Sequence, residues 1–160
     1  HDCWDMAIQY AASRIKSAIS IDEDVAVRFW WEELTIYCPW KTIDETFQLA
    51  CALNLAIQNN WFDWNGKEIK ITASIGVSDF SGIDTTLKTD RKMDIAIWKA
   101  DKAMYAVKAD GRNWVLKYYP WLGAPETPSV AQEDQESPKE VLIKSLARNS
   151  SRTERIIIPI

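Results

Sequence analysis

A predicted β-hairpin near the start of this chain sets the class of fold that it can adopt. Residues 25–29 read VAVRF and residues 34–38 read LTIYC, and four residues, WWEE, lie between them. Short runs of β-branched and aromatic residues that flank a few turn residues are typical of two antiparallel strands. A lone hairpin is barely stable in water, so other strands and helices must cover at least one of its faces.

Three longer segments have the apolar spacing of helices. They are residues 2–19, a segment that ends near residue 59, and residues 94–109. Thr42 or Asp44 can cap the start of the second helix, and Gly111 suits the end of the third.

Two further segments are predicted to be strands. Residues 67–77 are rich in β-branched residues that alternate with polar ones, and residues 115–118 form a shorter run. Helices packed on a sheet of this kind predict an α+β fold with an antiparallel-rich central sheet.

The composition changes after Pro120. Residues 120–160 contain several prolines and the acidic stretch EDQE at 133–136, which indicates a linker and tail. Residues 141–148 suit a short amphipathic helix, and the final run IIIPI suits pairing at a sheet edge or binding in a partner's groove.

Composition excludes several functional classes. A chain of 160 residues with a net charge of -4 fits one soluble domain and offers no basic surface for nucleic acid or an anionic membrane. No apolar run is long enough to span a membrane. Cys3, Cys38 and Cys51 lack metal-ligand spacing, which favours a reducing, cytoplasmic setting. His1 is the single histidine, which argues against histidine acid–base catalysis.

Three motifs together resemble the GGDEF family, the diguanylate cyclases that join two GTP molecules into cyclic di-GMP. They are RFWWEEL at 28–34, ITASIGVS at 71–78 and ADKAMYAVKADGRN at 100–113. The resemblance covers about residues 1–118 and implies a nucleotidyl-cyclase, palm-like fold. It therefore predicts a GGDEF domain over residues 1–119 and a tail over 120–160. The signature is degenerate, because WWEEL stands where the family has Gly-Gly-Asp/Glu-Glu-Phe.

The resemblance implies a set of site residues. Glu32 and Glu33 match the hairpin acids that ligate Mg²⁺, and Glu33 also matches a catalytic acid. Asp5 matches a guanine-binding residue, and Lys108 and Arg112 match a pair that holds phosphates. Each has an ordinary alternative: solvated turn glutamates, a carboxylate at a helix N-terminus, and basic residues at a helix C-terminus.

Tryptophans replace three site glycines of the family. Glycine permits positive φ in a tight turn and lets phosphate approach the backbone, and Trp30 and Trp31 remove both properties. Trp4 stands where the family has a glycine beside the guanine pocket. The indoles either fill the pocket or form an apolar surface for a partner. Alternatively, they point away and leave the backbone amides usable.

Two other family features are weakened or missing. Asp24 matches the acid of the product-inhibition site, but Ile21 replaces its arginine, so we expect weak binding of cyclic di-GMP. The family's first strand, which carries a metal-binding Asp inside the sheet, has no counterpart before Asp2. We expect either that the chain is a piece of a longer protein or that another segment fills this slot, with residues 155–160 as a candidate.

These features predict a catalytically inactive GGDEF-like domain that acts as a regulatory or protein-interaction module in cyclic di-GMP signalling. Its partner would be a protein or a neighbouring domain, or a second copy in a homodimer, and it would keep no cofactor. The alternatives are an active cyclase that uses Glu32, Glu33, Lys108 and Arg112, or a GTP-sensing domain without turnover. Either alternative would bind GTP and Mg²⁺.

Overall fold

The computed structural model describes residues 2–123 and 156–159. The helices are α1 (Asp2–Ala18), α2 (Ile43–Gln58) and α3 (Thr89–Ala109). The strands are β1 (Val25–Arg28), β2 (Leu34–Tyr37), β3 (Phe62–Trp64), β4 (Lys67–Ile69), β5 (Ile75–Asp79), β6 (Val115–Lys117) and β7 (Ile156–Pro159). A short 3-10 helix covers Pro120–Leu122. The residues of the tail that were predicted to be acidic linker and amphipathic helix, 133–136 and 141–148, lie outside the described residues.

Five strands form the main sheet, in the order β1-β2-β7-β5-β6. Only β5 and β6 are parallel, and the other neighbours are antiparallel. Strands β3 and β4 form a separate two-stranded sheet. The predicted α+β fold with an antiparallel-rich sheet is confirmed.

Strand β7 occupies an interior position of the sheet. Ile157 lies opposite Tyr37 of β2 on one side and opposite Ser78 of β5 on the other. The prediction that this run would pair at a sheet edge is therefore wrong, and the other candidate position, in which residues 155–160 fill an interior slot, is the one observed. An empty interior position would leave the facing backbone groups of β2 and β5 without hydrogen-bond partners. Strand β7 pairs with both of these strands.

The second helix begins with a reciprocal cap. The Thr42 hydroxyl accepts a hydrogen bond from the Glu45 amide at 3.2 Å, and the Glu45 carboxylate accepts one from the Thr42 amide at 2.7 Å. This capping box fixes Thr42, rather than Asp44, as the cap residue.

The strand predicted over residues 67–77 is divided. Its ends form β4 and β5 in different sheets, and residues 70–74 between them are not in a strand. Within this segment, the Ala73 carbonyl accepts a hydrogen bond from the buried Asn54 side chain at 2.7 Å. Strand β3 was not predicted, and Asn65 and Gly66 join it to β4 with φ of 53° and 77°.

Side chains alternate between two apolar clusters across the main sheet. Leu34 and Ile36 of β2 face the cluster formed with α1 and α2, whereas Tyr37 faces the cluster formed with α3. Helix α3 lies very close to β5, since a Cβ on Gly76 would be 1.9 Å from the carbonyl oxygen of Ala100. This close approach requires glycine and fixes the position of α3 over the sheet. Across residues 2–123 and 156–159, no helix has both the length and the apolar character needed to span a bilayer.

Candidate functional site

The loop that joins β1 and β2 has its own hydrogen bonds. The Phe29 amide donates to the Glu33 carbonyl at 2.7 Å, and the Trp30 amide donates to the same oxygen at 3.4 Å. The Arg28 guanidinium donates to the Trp31 carbonyl, with Nε at 3.1 Å. These bonds fix the loop through its own residues, and the Trp30 amide is directed inward.

Neither tryptophan of the loop is strained. Among the described non-glycine residues, positive φ occurs only at Asn65, Arg112 and Asn113. The loop is therefore not the two-residue turn that requires glycine, and Trp30 and Trp31 fit it without a backbone penalty.

The indoles of all three singled-out tryptophans are exposed. Trp4 is 53% exposed, Trp30 is 64% exposed and Trp31 is 81% exposed. Side chains that filled a pocket would be mostly covered. The exposed fractions argue against indoles that fill a pocket.

The hairpin places Glu33 beside the last turn of α3. The Glu33 carboxylate lies 3.8 Å from Nζ of Lys108, and both side chains are partly covered. Nζ of Lys108 also lies 5.5 Å from the centre of the Tyr105 ring. The structure thus brings together one acid and one base of the predicted set.

Asp101 is a third ionisable residue near this pair, and it was not among the residues predicted from the sequence. Burial, together with the negative charge of Glu33, raises the pKa of Asp101 from 3.8 to about 7, while Lys108 opposes the rise. Asp101 lies seven residues before Lys108, a spacing that places both on one face of a helix. That spacing was the available signal in the sequence.

The other predicted nucleotide contacts do not join this group. Asp5 and Arg112 are exposed, and within the described residues neither has a hydrogen bond or ion pair to Glu33 or Lys108. The Arg112 amide donates to the Val107 carbonyl at 2.9 Å, which closes the end of α3.

Asp24 is buried, and both of its carboxylate oxygens have hydrogen-bond partners. Its carboxylate oxygens lie 2.8 and 2.7 Å from Nζ of Lys41, and one also accepts from the Ser20 amide at 2.9 Å. Burial alone would lower the pKa of Lys41, but the hydrogen bond and the charge of Asp24 raise it. Burial, followed by the charge of Asp24, raises the pKa of the Cys38 thiol. A ligand at Asp24 would have to displace Lys41, and Ile21 nearby supplies no replacement cation.

Comparison with known proteins decides the family. Residues 1–114 match the family model described as diguanylate cyclase, GGDEF domain. This chain belongs to the GGDEF family. Membership supports a role related to cyclic di-GMP signalling.

Several curated proteins resemble this GGDEF domain. Diguanylate cyclase A of Treponema denticola is 28% identical over 115 residues, which are 72% of this chain and 29% of that protein. The probable diguanylate cyclase DgcF of Escherichia coli K12 is 26% identical over 113 residues, 71% of this chain and 35% of that protein. The uncharacterized protein YtrP of Bacillus subtilis is 28% identical over 116 residues, 72% of this chain and 18% of that protein. The chain therefore spans about a third or less of the length of these relatives.

The resemblance implies Mg²⁺ in a GGDEF site, but the carboxylates here do not fit it. No group of three or more His, Cys, Asp or Glu residues that could hold a metal occurs in the described ranges. Glu32 is exposed, and Glu33 already has the Lys108 ammonium as its counter-charge. Burial and the charge of Glu33 raise the pKa of Asp101 to about 7, which disfavours the ionised form that a metal ligand needs. Two divalent ions beside a triphosphate need several ionised oxygen ligands at once.

Proposed function

We propose that this GGDEF domain is catalytically inactive and acts as a regulatory or protein-interaction module in cyclic di-GMP signalling. The observation that carries the proposal is the β1–β2 loop, in which exposed Trp30 and Trp31 stand in place of two glycines. The divergence lies at the part of the domain that the family uses to hold GTP.

The hydrogen bonds of the loop argue against a triphosphate. Phosphoryl transfer depends on positioning and on neutralising charge, so phosphate oxygens must approach backbone amides and cations closely. The Trp30 amide points to the Glu33 carbonyl, and Arg28 holds the Trp31 carbonyl. Two bulky indoles on the same loop hinder the close approach that glycine permits.

The charges argue in the same direction. Glu33 and Lys108 form an ion pair with each other, so neither is poised for a metal ion or a phosphate. Among the described residues, neither Arg112 nor Asp5 forms a hydrogen bond or an ion pair with Glu33 or Lys108. We therefore propose that the domain keeps neither Mg²⁺ nor GTP as a cofactor.

The exposed indoles support a role in binding proteins. Tryptophan is enriched at the energetic centres of protein interfaces, because it buries a large area at low cost in conformational entropy. A partner protein, a neighbouring domain or a second copy in a homodimer would cover Trp4, Trp30 and Trp31. We place this module in the cytoplasm, where its three free cysteines stay reduced.

The test is a cyclase assay. The purified chain is incubated with GTP and Mg²⁺, and cyclic di-GMP is measured by chromatography. We expect no more product than from the Glu33→Ala variant, because the charges needed for transfer are not assembled.

Product that the wild type forms and Glu33→Ala does not would contradict the proposal and favour an active cyclase. GTP binding in calorimetry that is lost in Lys108→Ala, without product, would instead identify a GTP-sensing domain.

A further inference from the structure

An apolar groove of about 580 Å³ runs between α1 and β1. Ile8, Ala12 and Ile19 line its helical wall, and Ala26 and Leu34 line its floor. Ile21 covers one end and is 66% exposed. A large exposed apolar groove on a folded domain often marks a site of interaction.

The groove is open because of the side chains that β1 presents. Val25 and Val27 pack in the cluster on the α3 side of the sheet. Side chains alternate along a strand, so Ala26 and Arg28 belong to the opposite face, beside α1. Ala26 is small and exposed, and α1 leaves space above it.

The same strand is an open edge of the main sheet. Strand β1 is the terminal strand in the described sheet, with β2 as its single neighbour. The Phe29 amide bonds to the Glu33 carbonyl, and hydrogen-bonded pairs alternate with unbonded pairs along an antiparallel ladder. The backbone groups of Ala26 and Arg28 therefore point away from β2, toward the open edge. Such an edge can accept a further strand from another protein.

The polar rim of the groove is positive. Lys16 and Arg28 lie on it, and the remaining charged lining residue, Asp24, is neutralised by Lys41. The chain as a whole has a net charge of -4, so this rim is a local exception. A positive rim around an apolar floor favours a segment that carries acidic residues beside apolar ones.

Trp4 is an exposed residue near the start of α1. Trp4 precedes Ile8 by four residues and so lies on the same face of α1 as Ile8 and Ala12.

We propose that this groove binds an extended segment of a partner protein, which adds to β1 as a further strand. The segment carries apolar residues for the floor and acidic residues for Lys16 and Arg28. A second copy of this chain would present the same positive rim and is therefore a poor occupant. The inference rests on the proposed function, because it names the surface by which the interaction module works.

The experiment selects random peptides, displayed on phage, against the purified full chain. We expect enriched peptides that combine acidic residues with alternating apolar residues. A synthetic peptide of the most enriched sequence should bind about tenfold more weakly to Lys16→Glu, which reverses one rim charge. It should also bind at least about tenfold more weakly to Ala26→Pro, which removes an outward amide without breaking the β1–β2 ladder.

Lys67→Glu is the matched control, because Lys67 is exposed on β4, away from the groove. It should keep the affinity within about twofold of wild type. Circular dichroism melting checks that each variant is folded. If Ala26→Pro does not fold, Lys16→Glu still tests the proposal.

Three results would overturn the inference: no enriched peptide, enriched peptides without acidic residues, or affinity unchanged in both groove variants. A dimer of the wild type that dissociates in Ala26→Pro would also overturn it, since a second copy would then be the occupant. The cyclase assay on the same samples separates the two failures. Formation of cyclic di-GMP contradicts the proposed function. If no product forms and the peptides fail the tests above, only the proposed groove site is contradicted.

Discussion

Asp101 carries a carboxyl group that its surroundings make a weak acid. Burial and the nearby charge of Glu33 raise its pKa to about 7, although Lys108 partly compensates. An acid whose pKa is higher in the folded state than in the unfolded state binds its proton more tightly when folded. Its contribution to stability is therefore largest at low pH, and it is lost as the pH rises from about 4 to about 7.

Asp101→Asn should remove this loss, because asparagine resembles the protonated acid and does not ionise. We expect the variant to be more stable than wild type by on the order of 3 kcal/mol at pH 8, with little difference at pH 4. Urea unfolding at the two pH values measures the difference. Asp22→Asn, at an exposed position, is the control and should show no such dependence. Equal stability of wild type and Asp101→Asn at pH 8 would refute the prediction.

The sequence identified some residues of the candidate site and missed others. Glu33 and Lys108 were assigned to one site through the family resemblance, and their side chains lie 3.8 Å apart. Asp101 was missed because its pKa depends on burial and on an acid from a distant hairpin, which no local pattern encodes. Asp24 was matched to the acid of the product-inhibition site, with weak binding expected, but its ion pair with Lys41 was not predicted because it forms only through the tertiary fold.

At the scale of elements, the β1–β2 hairpin has exposed tryptophans in its loop and buried apolar residues on β2. The double variant Trp30→Ser/Trp31→Ser should change the free energy of unfolding by no more than about 0.5 kcal/mol, because both indoles are exposed. The variant should also gain no GTP affinity, since Glu33 and Lys108 stay paired. Thermal melting and calorimetry with GTP and Mg²⁺ are the measurements.

Ile36→Ala on the adjoining strand is the contrasting control. Ile36 is completely buried, and its truncation should cost about 2 to 5 kcal/mol. A comparable loss of stability in the double tryptophan variant would mean that the indoles fill a pocket in solution.

The helices and the hairpin were predictable because their signals are local. The 3.6-residue spacing and the capping pattern of Thr42 and Glu45 come from neighbouring residues. Strand β3 was missed although its Asn65-Gly66 turn is a strong hairpin signal, since its strands are only three residues long. The division of residues 67–77 was not predictable from local spacing, because this segment makes contacts with distant elements, such as the hydrogen bond from the Asn54 side chain to the Ala73 carbonyl.

At the scale of the whole molecule, β7 holds two half-sheets together. Strands β1 and β2 lie on one side of it, and β5 and β6 lie on the other. The sequence could not choose between an edge and an interior position for the isoleucine run, because both suit β-branched residues.

Ile157→Pro tests the interior position. Ile157 is paired with β2 on one side and with β5 on the other, so its backbone amide faces a neighbouring strand in either direction. Proline has no amide hydrogen and cannot donate a hydrogen bond to that strand. We expect a marked fall in melting temperature, and a much smaller one for Ala26→Pro at the open edge. Similar melting temperatures for the two variants would contradict an interior β7.

The interior position of β7 has a consequence for how the protein folds. Its partners in β2 and β5 are separated from it by much of the chain, and the entropy of closing such long loops is lost before the contacts form. During synthesis, β2 and β5 emerge from the ribosome well before residues 156–159, and their facing edges stay unpaired in the meantime. Nascent chains of this domain should therefore depend on chaperones until β7 has emerged.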